Sequence, residues 1–195
     1  MDLRDMVNFL FEVGMLKKTP RTGYQFLGSG GESVAEHSFR TAIIGYILSQ
    51  RHNGADTKKT VLMCLFHDLC EARTGDQNYV NRQYVKVDER KAMEDLTRNL
   101  PIKEEIISLI EEFNDGSTIE SKISRDADQL DLILELKEQL DLGNRYAKDW
   151  IDYAIERLQT DLAKDLAYEI LNTDSTEWWF KKKKELWVEN NNYKL

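Results

Sequence analysis

Val61-Leu62-Met63-Cys64-Leu65-Phe66-His67-Asp68-Leu69-Cys70-Glu71 decides the fold class. The apolar run from Val61 to Phe66 has Asp56 ahead of it as a helix N-cap and Gly75 behind it as a stop. It therefore reads as one almost wholly apolar helix, the central and most buried of the chain. A His-Asp pair interrupts it. An ionised carboxylate without a partner is very costly to bury, so Asp68 must be neutralised or ligated. His67 and Glu71 lie one turn apart, and Asp68 shares their sector of the helix. A neutral nitrogen beside an anionic oxygen suits zinc, manganese, cobalt or iron better than calcium. His67 and Asp68 alone also fit a hydrogen-bonded core pair, and two residues do not hold a catalytic ion. Further ligands must come from elsewhere in the chain.

Upstream, Leu3, Met6, Val7, Leu10 and Phe11 recur at helical spacing until Lys17-Lys18 and Pro20. Residues 19–31, with four glycines, read as an ordered or semi-ordered loop with a short extended piece at Tyr24 to Leu27. Ser33 with Glu36 spells a capping box, which puts His37 in the first turn of a helix that runs to about Arg51. His37 is the natural third ligand. A polar first-turn residue is the plainer alternative. His52, beside the Asn53-Gly54 turn, reads as a solvent residue.

Downstream, residues 76–87 show no clear period and read as a loop or short irregular helix. Asp88 to Leu100 reads as a mostly exposed helix. Pro101 opens the next, which runs to Phe113, and Asn114-Asp115-Gly116-Ser117 is a turn. Ile119 to Leu142 forms a further helix. Its stripe Ile123, Ala127, Leu130 and Leu134 faces the core, with Asp126 and Asp128 about 100° to either side of Ala127. Asp126, Asp128 and Asp131 are all candidates for a fourth ligand, and periodicity does not choose among them. A last long helix from Ala147 to Leu171 carries Trp150, Ala154, Leu158, Leu162, Leu166 and Ile170 as a stripe toward the protein's own core, with a partner helix as the alternative. No alternating strand pattern is found, so the fold class is all-α.

The chain has 195 residues, 41% of them hydrophobic, which suits one domain with a full core. The net charge of -8 argues against binding a nucleic-acid polymer, while leaving room for a local basic pocket around one small phosphate ester. Two cysteines, Cys64 and Cys70, fall within an apolar helical pattern and read as buried thiols. The N-terminus lacks the order of a signal peptide, and no apolar run approaches the ~20 residues of a membrane span. A cytoplasmic protein is expected.

Taken together, four blocks resemble the 5'-deoxynucleotidase family of HD-domain proteins. They are Leu16-Lys17-Lys18-Thr19-Pro20-Arg21-Thr22-Gly23, Glu32-Ser33-Val34-Ala35-Glu36-His37-Ser38, His67-Asp68-Leu69-Cys70-Glu71-Ala72-Arg73-Thr74-Gly75-Asp76 and Asp126-Ala127-Asp128-Gln129-Leu130. The similarity spans about residues 10 to 175. The resemblance implies a single helical HD bundle, a homodimer, and removal of phosphate from deoxyribonucleoside 5'-monophosphates. It implies manganese or cobalt, with zinc, iron, nickel or magnesium as alternatives. It maps the metal ligands onto His37, His67, Asp68 and Asp128, preferring Asp128 to Asp126. Glu71 and Asp76 become the acidic catalytic residues, with Asp76 ranked first as proton donor to the leaving 5'-oxygen. The match also marks Arg21 as a substrate-side residue. From the residues themselves, the Arg21 guanidinium suits a forked contact with phosphate, Lys17 and Lys18 either solvate a helix end or add positive field, and Asn78 and Tyr79 follow Asp76 as candidates to contact sugar or base. Cys70 stands where alanine is common in the family.

Outside the match, Trp178 and Trp179 are expected to pack on the bundle, and Lys181 to Lys184 to form a solvated face. Two other functions stay open. One is a phosphohydrolase acting on a cyclic nucleotide or nucleoside triphosphate. The other is a non-catalytic helical module that binds nucleotide around a structural ion.

Overall fold

The computed structural model describes residues 2–180. Helices α1 (Leu3–Val13), α2 (Tyr24–Leu27), α3 (Val34–Gln50), α4 (Thr57–Phe66), α5 (Glu71–Thr74) and α6 (Glu89–Leu96) are followed by α7 (Lys103–Asp115), α8 (Ile119–Asp141), α9 (Ala147–Glu156) and α10 (Asp161–Asn172). No strand occurs among the described residues, and an isolated bridge joins Pro20 to Ser33. The all-α expectation holds, in one helical bundle.

Local capping explains where the helices begin. Ser33 and Glu36 form the anticipated capping box at α3. Asp56 accepts from the Lys59 amide at α4, and Thr118 accepts from the Ser121 amide at α8. Between α1 and α3 the loop is closed by two backbone hydrogen bonds, Arg21 N to Glu32 O and Val34 N to Thr19 O, both 2.9 Å. Residues 24–27 are a helical turn instead of an extended piece. Gly28 ends it at φ +78°, a left-handed conformation that favours glycine.

The centre of the molecule is α8 rather than α4. It packs against α3, α4, α7, α9 and α10, and Ile123, Ala127, Leu130, Ile133 and Leu136 are buried along it. Length explains the correction: α4 stops at Phe66, buries Thr60, Met63 and Cys64, and leaves Leu65 38% exposed. His67 and Asp68 therefore sit just past a helix end, where Leu69 N to Phe66 O and Glu71 N to Asp68 O tighten the chain before α5. The α3–α4 contact is close. A side chain at Gly45 would meet Cys64 Sγ at 2.6 Å.

Two apolar clusters form the core. One gathers Ala42, Cys64, Ala127, Leu130 and Ile151, and the other Val34, Leu69, Cys70, Met93 and Ile106. Two of the places where the chain crosses between them are from Val34 to Ala42 past His37, and from Cys64 to Leu69 past His67 and Asp68. Polar side chains thus stand where the two clusters part. Within the second cluster, Ala92, Met93 and Leu96 of α6 are buried, so that helix is less exposed than its sequence suggested.

The expected helix over 147–171 is broken. Residues 157–160 link α9 to α10, and Asp126 accepts hydrogen bonds there from Gln159 N, Thr160 N and Thr160 Oγ1 at 2.7, 2.9 and 2.6 Å. Thr160 then caps α10. The apolar stripe survives the break: Ala154 and Leu158 are buried, and Trp150, Leu162, Leu166 and Ile170 pack on the same core. Trp178 is 80% exposed and Trp179 51%, against the expected packing. Beyond α10, residues 173–180 hold no helix to press these rings onto the bundle. Lys181 to Lys184 lie outside the described residues. No described helix is long and apolar enough to cross a membrane.

Candidate metal centre

Two imidazoles meet between the clusters, each held from behind. His67 Nδ1 lies 2.9 Å from the Cys64 carbonyl, which only accepts, so Nδ1 carries the proton and Nε2 is turned forward. The Phe113 ring lies against His67, with centroids 5.0 Å apart. His37 is fully buried, and its Nδ1 donates to Asp131 Oδ2 at 2.6 Å. The two Nε2 atoms face each other at 3.3 Å. Asp68 Oδ2 lies 3.2 Å from His67 Nε2 and 3.6 Å from His37 Nε2. Asp128 Oδ1 lies 3.2 Å from His37 Nε2 and 4.0 Å from His67 Nε2. The side chains of residues 37, 67, 68 and 128 thus converge, from α3, the end of α4 and α8. Asp126 is engaged with the α9–α10 link and points its chemistry elsewhere.

The donor set fits a divalent transition ion. Two imidazole nitrogens and two carboxylates leave room in a coordination sphere for further oxygens. Electrostatics says the same. Burial opposes a charge on His37, yet Asp128 and Asp131 push its pKa up to about 10. Burial would raise Asp128, but His37, His67 and Arg21 bring it down to about 2. Burial likewise opposes ionisation of Asp68, and His67 and Arg21 hold it well below the usual carboxylate range. The carboxylates thus demand positive charge at this point, which a divalent cation supplies better than two protons. Glu71 adds a further sign. Burial, then Asp68 and Asp76, push its carboxyl up to about 9, and its Oε2 is buried with no hydrogen-bond partner in the protein.

In front of the centre lies a cavity lined by Arg21, Asp68, Asp76, Asp128 and the further arginines Arg82 and Arg157. The lining thus balances three arginines against three aspartates, so the arginines that a phosphate needs are present but the pocket as a whole is not basic. Arg21 Nη1 donates to Asp68 Oδ2 at 3.2 Å. Asp76 Oδ2 accepts from Thr22 N at 2.5 Å and Thr22 Oγ1 at 2.9 Å, tying the segment after α5 to the Arg21 loop. Asn78 lines the cavity but is largely committed: it donates to Thr22 Oγ1 and accepts from the amides of Val80 and Asn81. Lys18 is exposed and sits over a separate shallow groove with Lys17, Ser33 and Glu36. Glu71 lies behind Asp68 and is not part of the lining. His52 is exposed, and Cys64 and Cys70 are buried thiols that burial pushes up to about 12.

The HD domain family pattern matches residues 13–170 of this chain. The chain belongs to the HD-domain family. Among curated HD relatives it is 34% identical over 148 residues to the 5'-deoxynucleotidase HDDC2 of Bos taurus, covering 73% of this chain and 71% of the relative. It is 26% identical to the 5'-deoxynucleotidase hdd1 of Schizosaccharomyces pombe over 93% of this chain and 96% of that one. The solved structure of the PH0347 protein from Pyrococcus horikoshii OT3 superposes with a TM-score of 0.72 at 28% identity, over 85% of this chain and 98% of the other. The family inferred from the four sequence blocks is the family found.

Sequence reasoning missed what stands behind His37. Arg40 donates to Asp131 and, at 2.5 Å, to Glu135, and Tyr24 Oη donates to Glu32 and Glu135. Glu32 is partly buried, and burial followed by Asp131 pushes it up to about 7. The signal was present as Arg40 one turn after His37, and as Asp131 and Glu135 one turn apart on α8. Trp150, Gln129 and Arg157 also line the cavity without having been placed there.

Proposed function

We propose that His37, His67, Asp68 and Asp128 hold one divalent transition ion, and that this HD phosphohydrolase removes the 5'-phosphate from deoxyribonucleoside 5'-monophosphates. The observation that carries the reading is the meeting of two Nε2 atoms, 3.3 Å apart, with two carboxylates. The ion supplies Lewis-acid chemistry, drawing charge from a phosphate oxygen and lowering the pKa of a water molecule. Manganese and cobalt are the preferred ions, with zinc, iron, nickel and magnesium to be compared. Substrate identity rests on the curated 5'-deoxynucleotidases that the chain resembles.

The protein's own residues supply the rest. Arg21, fixed by the Glu32 carbonyl and Asp68, offers a planar fork to the phosphate. Its charge is secure, because Asp68, Asp128 and Asp76 outweigh burial and raise its pKa above the ordinary value. Asp76, fixed by Thr22 at the cavity wall, hands a proton to the leaving 5'-oxygen. Glu71, with its carboxyl raised to about 9 and its Oε2 unpartnered, acts from behind Asp68 as the acidic group that supports the site. Asn78 shapes the wall through Thr22. Lys18 contributes long-range field rather than contact.

A second copy of the chain belongs to the same proposal. Phe39, Ile43, Tyr46 and Ile47 form an exposed apolar strip along α3, which a homodimer would cover. Free buried cysteines favour a cytoplasmic setting. Phosphate release from deoxynucleotides, ribonucleotides, cyclic nucleotides and triphosphates, measured with manganese, cobalt, zinc and magnesium in parallel, tests the function. Deoxynucleoside monophosphates should be preferred, and Asp76→Asn should keep the metal and lose turnover. Equal turnover of cyclic or triphosphate substrates removes the substrate assignment.

A further inference from the structure

We propose that the part of the cavity beside Trp150 is a nucleobase subsite, with the indole as its stacking wall. The inference rests on the nucleotide reading above and specifies which part of the substrate goes where.

The cavity is chemically mixed. Arg21, Asp68, Asp76 and Asp128 supply its charged lining, while Leu132 and Trp150 supply an apolar part. Helix α8 is a ruler between them. Asp128 and Leu132 lie one turn apart on one face, so the apolar part starts ~6 Å from Asp128 along the axis. In a 5'-nucleotide the sugar separates the phosphorus from the base by a comparable span. A phosphate beside Asp128 therefore brings a base to the level of Leu132.

Trp150 reaches this place from α9 and packs partly on the core, which fixes its ring. A Cβ at residue 23 would lie 3.5 Å from Trp150 Cζ3 and 3.8 Å from Cη2. The backbone of Gly23, at φ -56° and ψ -35°, is one any residue adopts. A methyl group there would make ordinary van der Waals contact with the ring edge, so neither conformation nor a clash dictates glycine at this position. Any side chain at residue 23 would lie on the indole edge, where glycine leaves it accessible. Tyr24, on the same wall, has its hydroxyl committed to Glu32 and Glu135. The indole beside Leu132 offers an apolar surface for a planar heteroaromatic ring, and stacking on a fixed aromatic gives it affinity without directional hydrogen bonds.

The experiment compares a deoxynucleoside 5'-monophosphate with 2-deoxyribose 5-phosphate, which has the same phosphate and sugar but no base, on the metal-loaded full chain. Trp150→Leu should lower the ratio of kcat/KM for nucleotide over base-free sugar phosphate by about tenfold, mainly through KM, and Trp150→Phe should restore most of it. Gly23→Ala should raise KM for the nucleotide more than for the sugar phosphate. Equal losses on both substrates, or an unchanged ratio, overturn the subsite. Fluorescence gives a readout free of turnover: nucleotide, but not sugar phosphate, should quench wild type more than Trp150→Phe. If no nucleotide is hydrolysed but this quench is seen, the catalytic reading fails and the subsite stands. Absence of both overturns both.

Discussion

His37 divides two acidic regions that look alike in composition and differ in what neutralises them. Behind its Nδ1 stand Asp131, Glu32 and Glu135, threaded by Arg40, a permanent cation that holds Asp131 and Glu135 at once. In front of its Nε2 stand Asp68 and Asp128 with a second imidazole. The rear region is complete within the protein, since guanidinium and hydroxyl donors meet its carboxylates. The front region satisfies its carboxylates only by drawing protons onto histidines or by taking Arg21 away from a substrate phosphate. An ion releases both. The difference teaches that an acidic cluster becomes a metal centre when the protein withholds its own cation. The rear cluster then acts on the histidine itself, because a carboxylate on Nδ1 fixes the tautomer and raises the basicity of Nε2.

The largest effects should come from the front. Asp128→Asn and His67→Ala should each take phosphatase activity to background and remove bound metal, as read by assay and metal analysis. Normal metal content in either variant contradicts the ligand set. Breaking the rear should be milder. Asp131→Asn should weaken metal binding about 10–100-fold while leaving the fold and the metal stoichiometry at saturation intact. Titration with cobalt, followed by its visible absorption, measures this, and an unaltered affinity would show that the rear cluster does not act on His37.

Asp126 sharpens the contrast between neighbours on α8. Asp126→Ala strips acceptors from two amides and a hydroxyl at the α9–α10 link and should cost about 2–4 kcal/mol, seen as a lower Tm. Metal affinity should stay near wild type. A variant that keeps its Tm and loses metal would reverse the roles of Asp126 and Asp128.

A last effect concerns pH. Glu71 and Glu32 have folded pKa values raised to about 9 and about 7. Each contributes stability that is fully present below its unfolded value, near 4.5, and lost as pH rises through the folded value. The metal-free chain should therefore show a Tm that falls steadily between about pH 5.5 and 8.5. Glu71→Gln, which mimics the protonated form, should flatten that slope. An equal slope in the variant excludes Glu71 as its source.

Much of this was legible because local chemistry wrote it. Ser33 with Glu36 and Asp56 each marked a helix start, and the cost of burying Asp68 announced the centre before any partner was known. The misreadings have a common cause, which is that periodicity sees one helix at a time. Residues 147–171 keep one apolar phase through the break at 157–160, and only Thr160 as a cap and the distant Asp126 reveal it. The run from Val61 onward was apolar enough to look central, yet centrality went to the longer α8, which touches more of the bundle. Asp126, Asp128 and Asp131 were indistinguishable by spacing because their roles are set by what faces α8: the α9–α10 link, the two imidazoles, and Arg40. Trp150 was legible as the start of an apolar stripe but not as part of the cavity wall, since that place depends on the distant residues of α8 and the Arg21 loop that share the lining.

Anomalous diffraction at the manganese or cobalt edge, on crystals of the metal-loaded chain, tests the central claim most directly. One peak should appear between His37 Nε2, His67 Nε2, Asp68 and Asp128. A peak instead on the Nδ1 side, between Glu32, His37 and Asp131, or no peak in crystals of active enzyme, would contradict it.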